Sequence, residues 1–169
     1  VRRVLLEEGF LSALEELRAM AKKRPLALAS YVSLPRSADV VNALRLDGRH
    51  CPYEAANCDM HCGAMRLGQR PCDQVSGVMD RDVFGSLLDD GERSDLFAST
   101  SSIVERYYGE HAICFYYLNA GSEMARVEIP KWVADDRELL ELTHALLVDK
   151  CRKGHGYPVA ISEAHEQAV

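Results

Sequence analysis

The chain has 169 residues, 47% of them hydrophobic and 27% charged, with a formal net charge of −6. That length and apolar share suit one globular domain with a sizeable core and exclude a disordered segment. No apolar run approaches the ~20 residues of a membrane-spanning helix, and the opening "VRRVLLEEGF" carries charge on both sides of its apolar stretch, unlike a secretory leader. The sequence therefore reads as a soluble cytoplasmic protein with no membrane partner. Its negative balance gives no general sign of nucleic-acid binding, which draws on clustered basic charge, so any DNA contact has to be local.

Residues 2–22 place Leu6, Phe10, Leu14 and Leu17 at helical spacing among charged residues, which predicts an amphipathic helix ended by "KKRP". "LALASYVSLP" predicts a buried strand. Ser37 is placed to cap a short helix, "ADVVNALRL", with Val40, Val41 and Leu44 facing inward. From Arg49 to about Val78 the periodicity dissolves over a stretch too long for an ordinary connection, so residues 49–78 stand apart as a cysteine-rich insertion. Structure resumes at "DRDVFGSLLDDGERS", where Asp80 can cap a helix that Gly91 closes, followed by "DLFAST" and the helix "SIVERYY". "HAICFYYLNAGSEMARVEIP" predicts a hairpin turning through Asn119-Ala120-Gly121-Ser122. "DDRELLELTHALLVDKCRKGHG" predicts a long helix with acids in its first turn and bases in its last, and Ser162 is the expected N-cap of a final helix. This order of elements gives an α/β class.

Four of the six cysteines, Cys51, Cys58, Cys62 and Cys72, fall in "CPYEAANCDMHCGAMRLGQRPC" at gaps of six, three and nine residues, with His50 and His61 beside them. Four thiolates brought together repel one another unless a cation shares them, so a bound metal is the economical way to order so polar a loop. The two-residue knuckles usual for structural zinc are absent, whereas iron–sulfur clusters tolerate looser spacing. A [4Fe–4S] cluster and zinc both stay open, beside free thiols or a disulfide. A catalytic role is not expected, because four thiolates close a tetrahedral site to water. Cys114 and Cys151 lie in strand and helix patterns and read as small buried hydrophobes.

Hydrolysis of phosphodiesters by metal ions needs carboxylates that converge on the cation. The strand "MARVEIP" offers Glu128, with Arg126 on the same face because residues two apart share a side. Asp39, Asp47 and Asp80 lie near helix starts or loops, where capping is the default, so no complete catalytic metal site is visible. The basic clusters Lys22 to Arg24 and Lys150, Arg152 and Lys153 are candidate DNA contacts, with pairing to the helix dipole as the plainer account. Taken alone, His165 reads as a half-buried or capping histidine and Tyr157-Pro158 as packing and a turn stop.

Three stretches, "LASYVSLPRSADVVNALR", "FYYLNAGSEMARVEIPKWVADD" and "GYPVAISEAHEQAV", together resemble the NurA family, nucleases that work with the HerA translocase in DNA end resection and, in some bacteria, phage defence. The resemblance implies a ribonuclease H-like mixed sheet flanked by helices, with acidic residues around Mn2+. It also implies 5′ to 3′ exonuclease and single-strand endonuclease action on DNA by a homodimer docked on a hexameric HerA-type ATPase. Such a ring supplies much of the grip on DNA, which fits a negative net charge. His165 matches the family's catalytic-site histidine, which positions or protonates the scissile phosphate. Where archaeal relatives carry a tyrosine three positions before that histidine, this sequence has Ser162, so that either the tyrosine's role is dispensable in this branch or the nearby Tyr157 substitutes for it. Glu128 is a further catalytic candidate, and Arg126, Lys150, Arg152 and Lys153 are the candidate DNA contacts.

The family's "VDGS"-like strand and its later metal-binding acids have no counterpart here. The resemblance therefore implies a partial domain over residues 1–169, inactive alone, with manganese held mainly by residues outside it; the cysteine-rich insertion has no counterpart in archaeal members. Two other readings are a non-catalytic adaptor that docks on a translocase ring with the cysteine module as a peg, and a redox-sensing DNA-binding protein.

Overall fold

The computed structural model describes residues 3–47, 51–53, 57–66 and 68–168. The chain divides into two compact units, Val1–Leu34 with Leu88–Val169, and Pro35–Leu87.

The first unit is organised by the predicted hairpin. Four strands, β1 (Ser30–Val32), β2 (Phe97–Ala98), β3 (Ile113–Asn119) and β4 (Met124–Pro130), form one sheet in the order β1-β4-β3-β2. The aromatic and β-branched runs of β3 and β4 pair along their whole length, from Ile113 opposite Pro130 to Asn119 opposite Met124. The turn between them needs a left-handed backbone at Gly121, φ +87, whose amide donates to Asn119 Oδ1. Every strand pair is antiparallel. The mixed sheet implied by the resemblance requires a parallel pair, and none occurs among the described residues.

Side chains alternate along paired strands, so Tyr116 and Leu118 of β3 and Val127 and Ile129 of β4 share one face. All four are fully buried against Val133 and Leu140, and each such side chain contributes roughly 1.5–3 kcal/mol by leaving water. Val133 belongs to the short helix Lys131–Ala134 and Leu140 to the long helix Arg137–Lys153. The long helix forms as predicted: the Asp136 carboxylate accepts the Glu138 and Leu139 amides at its start, and Gly154 follows its basic last turn.

The N-terminal helix is less regular than its periodicity suggests, running as a π-helical stretch Arg3–Leu11 and then as α1 (Ser12–Ala21). Leu14 is buried but Phe10 is 46% exposed, its ring 5.7 Å from Tyr108. The predicted buried strand shrinks to the three residues of β1. It lies at the sheet edge, so Ser30 and Val32 remain exposed while Tyr31 packs inward.

The second unit is held differently. It contains α2 (Asp39–Asp47), α3 (Cys58–Cys62), a 3-10 turn Asp73–Val75 and α4 (Asp80–Gly85). Among its described residues the buried apolar side chains are Pro35, Val41, Cys62, Cys72 and Phe84. Asp80, expected to cap its own helix, instead lies fully buried and accepts the backbone amides of Val40 at 3.2 Å and Val41 at 2.8 Å, closing the start of α2. Leu44, expected to face inward, is 52% exposed, and α4 ends at Gly85, well before Gly91. Arg45 ties α2 to the cysteine-rich segment by donating to the Val75 carbonyl at 2.8 Å. Arg49 and His50 lie outside the described residues.

The remaining helices, in the first unit, are α5 (Ser102–Tyr107), α6 (Lys131–Ala134), α7 (Arg137–Lys153) and α8 (Val159–Gln167). None of the helices among the described residues is long and apolar enough to cross a membrane.

Candidate functional site

The sheet face opposite the α7 core carries the charged pair singled out on β4. Arg126 Nε donates to Glu128 Oε1 at 2.9 Å, and the Arg126 guanidinium lies 3.6 Å from the centroid of the Phe115 ring. Arg126 is 8% exposed, whereas about a third of the Glu128 side chain meets solvent. An ion pair combined with a cation–π contact fixes the guanidinium plane. The shared face predicted for these residues is thus present, and it joins them to each other: Arg126 holds one Glu128 carboxylate oxygen.

Tyr157 sits in a second arrangement that the sequence did not disclose. The Tyr31 hydroxyl donates to Glu123 Oε1 at 2.7 Å, Ser33 donates to the other Glu123 oxygen, and the Tyr157 ring meets Tyr31 edge-on at 5.5 Å. Burial first, then the Glu123 carboxylate, pushes the Tyr31 hydroxyl far above its ordinary pKa. Tyr31 also bonds Cys151, which is 1% exposed and whose thiol is pushed up chiefly by burial. A long-range contact between Tyr31 and Glu123 leaves no local pattern, which is why spacing could not find it.

The segment Gly154 to Pro158 launches α8. A Cβ at Gly156 would run into Ser122, and one at Gly154 into the Tyr157 carbonyl, so close backbone packing requires glycine at both places. The helix begins at Val159 after Pro158, one turn earlier than expected, and Ser162 is therefore inside it and does not cap it. His165 is exposed on this helix rather than half-buried. No hydrogen bond or ion pair among the described residues ties His165 to Glu128 or to Tyr157.

Among the basic candidates, Lys153 Nζ is held by Asp149 at 2.7 Å, and this bond holds the Asp149 carboxyl below its usual range. Arg152 is exposed and Lys150 half-exposed at the C-terminal end of α7, where the helix dipole favours cations. Lys22, Lys23 and Arg24 line a cavity of about 410 Å³ together with Asp136 and Glu138, so its charge is mixed.

The four clustered cysteines are free thiols. Cys58 and Cys62 lie one turn apart on α3, on the same side, and Cys72 precedes the 3-10 turn. Cys62 and Cys72 are buried, Cys51 is half-buried and Cys58 is exposed. Burial, and then the neighbouring Cys58, Cys72 and Cys51 sulfurs, push the Cys62 thiol up, while the Arg70 guanidinium acts the other way. The Tyr53 and His61 rings stack at 4.2 Å beside this group. Among the described residues, no three or more His, Cys, Asp or Glu side chains are already set to hold a metal ion.

A sequence model of one protein family, described as the NurA domain, matches residues 3–169. No curated protein and no solved structure matches the chain.

Proposed function

Because the chain belongs to the NurA family, a family of nucleases, across residues 3–169, we propose that it serves a DNA nuclease that hydrolyses phosphodiesters during DNA end processing. In this reading the fold is ribonuclease H-like, the cofactor is manganese, and a homodimer acts on DNA fed by a HerA-type hexameric ATPase. The family match over nearly the whole chain is the observation that carries the proposal.

The described residues do not fit a manganese centre on their own. No three carboxylate, histidine or cysteine side chains converge, and one Glu128 oxygen is engaged by Arg126. The work ascribed to this chain is therefore done by its own groups. His165, an exposed imidazole, positions the scissile phosphate or delivers a proton to the departing oxygen. Glu128, oriented by Arg126 and partly open to solvent, contacts the substrate. Lys150 and Arg152 neutralise backbone phosphates, a contact that carries no sequence preference. Tyr157, braced by Tyr31, holds the entry to α8 and with it the helix that bears His165.

A second reading is an adaptor that docks on the translocase ring without cleaving DNA. Cleavage of labelled single- and double-stranded DNA with Mn2+, in the presence and absence of the ring, separates the two. Under the nuclease reading, His165→Ala lowers cleavage at least about tenfold and leaves ring binding intact. Unchanged cleavage removes His165 from the chemistry, and ring binding without cleavage under any divalent cation establishes the adaptor.

A further inference from the structure

The Pro35–Leu87 unit contains an unusual combination of features around its cysteines. Among its described residues the buried apolar side chains are Pro35, Val41, Phe84 and two cysteines, Cys62 and Cys72. So small a core does not order a segment of this size by burial alone, and small units of this kind are stabilised by cross-links or metals. The four cysteines are unbridged in the structure, which leaves a metal as the cross-link to be considered.

The arginine flanking Cys72 points the same way. Arg70 Nε and Asp73 Oδ1 are buried without a hydrogen-bond partner. The other Asp73 oxygen accepts the Arg70 amide at 2.9 Å, which pins both residues to the turn that carries Cys72. A buried guanidinium N–H left unpaired costs about 1–3 kcal/mol, more when the group is charged, and native proteins rarely tolerate it. Arg70 neighbours the Cys62 sulfur. A thiolate is the acceptor that the buried Nε–H lacks, and the guanidinium offsets part of the negative charge of a four-thiolate centre.

We propose that Cys51, Cys58, Cys62 and Cys72 bind one metal centre through four thiolates, with Arg70 as its hydrogen-bonding partner outside the ligand set. Cys58 and Cys62, a turn apart on α3, form one half of the ligand set. Cys72 and Cys51 close the other half from the segments on either side. The side chains are not preset as a cage, so loading draws them together, releases the thiol protons and orders the unit as it binds. With every coordination position taken by sulfur, the centre is structural and leaves hydrolysis to the rest of the molecule.

The test is metal and sulfide analysis, with an absorption spectrum, of the full protein purified without oxygen, combined with timed thiol labelling and peptide mapping. About one zinc per chain, or about four irons with matching sulfide and visible absorption, is the expected result. Cys58 is exposed and would label at once if free; in the loaded protein it should label only after a strong chelator or mercurial releases the metal. Cys62→Ser and Arg70→Met should lower metal retention at least about tenfold, while Cys114→Ser leaves it unchanged. Absence of stoichiometric metal in the wild type, immediate labelling of Cys58, or a disulfide among the four cysteines would each overturn the proposal. Because these readouts use wild-type protein and no cleavage assay, they stand or fall separately from the nuclease reading.

Discussion

The β3–β4 hairpin and the Pro35–Leu87 unit solve the same problem with opposite means. The hairpin buries Tyr116, Leu118, Val127 and Ile129 completely against α6 and α7, and its backbone groups pair along the whole ladder. The second unit has little apolar surface to bury. It relies on a buried carboxylate closing α2, an arginine reaching a distant carbonyl, and a group of thiols. Apolar burial tolerates a change of solvent chemistry, whereas carboxylate caps and thiols respond to protons, oxidants and metals. The second unit thus depends more on groups whose hold changes with solvent chemistry.

The largest effect should come from opening the apolar core. Ile129→Ala removes buried methylenes from the centre of the hairpin core and is expected to cost about 2–5 kcal/mol. The single tryptophan, Trp132, packs against that core and reports its melting by fluorescence. A loss under about 1 kcal/mol would mean that the hairpin is not where stability resides. In the second unit the corresponding stress is Asp80→Ala, which strands the Val40 and Val41 amides at a cost of about 1–3 kcal/mol. Hydrogen exchange at those two amides should accelerate at least about tenfold, and unchanged exchange would show that Asp80 does not hold α2.

The contrast between the regions also explains what could be read from the sequence. The hairpin and α7 were legible because their signals are local: alternating aromatic and β-branched residues around a glycine turn, acids before and bases after a helical period. The charged pair Arg126–Glu128 was legible for the same reason, as two residues on one side of one strand. The Tyr31–Glu123 bond was not, because it joins β1 to the hairpin turn across 92 positions. Asp80 misled in an instructive way. Its position just before an apolar run fits a local cap, but a buried carboxylate serves whichever amides face it, and those belonged to α2. Ser162 misled similarly: Pro158 fixes the helix start a turn earlier, leaving serine in the interior. The family resemblance survived these local errors because it rested on three long stretches in order.

The smallest expected effect is a pH dependence that arises on the apolar side of the comparison. His144 lies on α7 with its ring edge-on to Tyr116 at 6.2 Å. Burial, and then the Arg93 guanidinium, lower its pKa, opposed by Glu141 and the Gly91 backbone. In the unfolded chain a histidine titrates near 6.5. Between that value and the lower folded one, the unfolded state holds the extra proton, so stability rises with pH through this window and falls as acid is added. Denaturant midpoints followed by Trp132 fluorescence should therefore decline from about pH 6.5 downward, and His144→Gln should flatten that part of the curve. A variant that keeps the full wild-type slope would move the titrating group elsewhere. Because the charged imidazole is disfavoured by burial against the sheet, loss of the slope in His144→Gln locates this part of the acid sensitivity in the core itself.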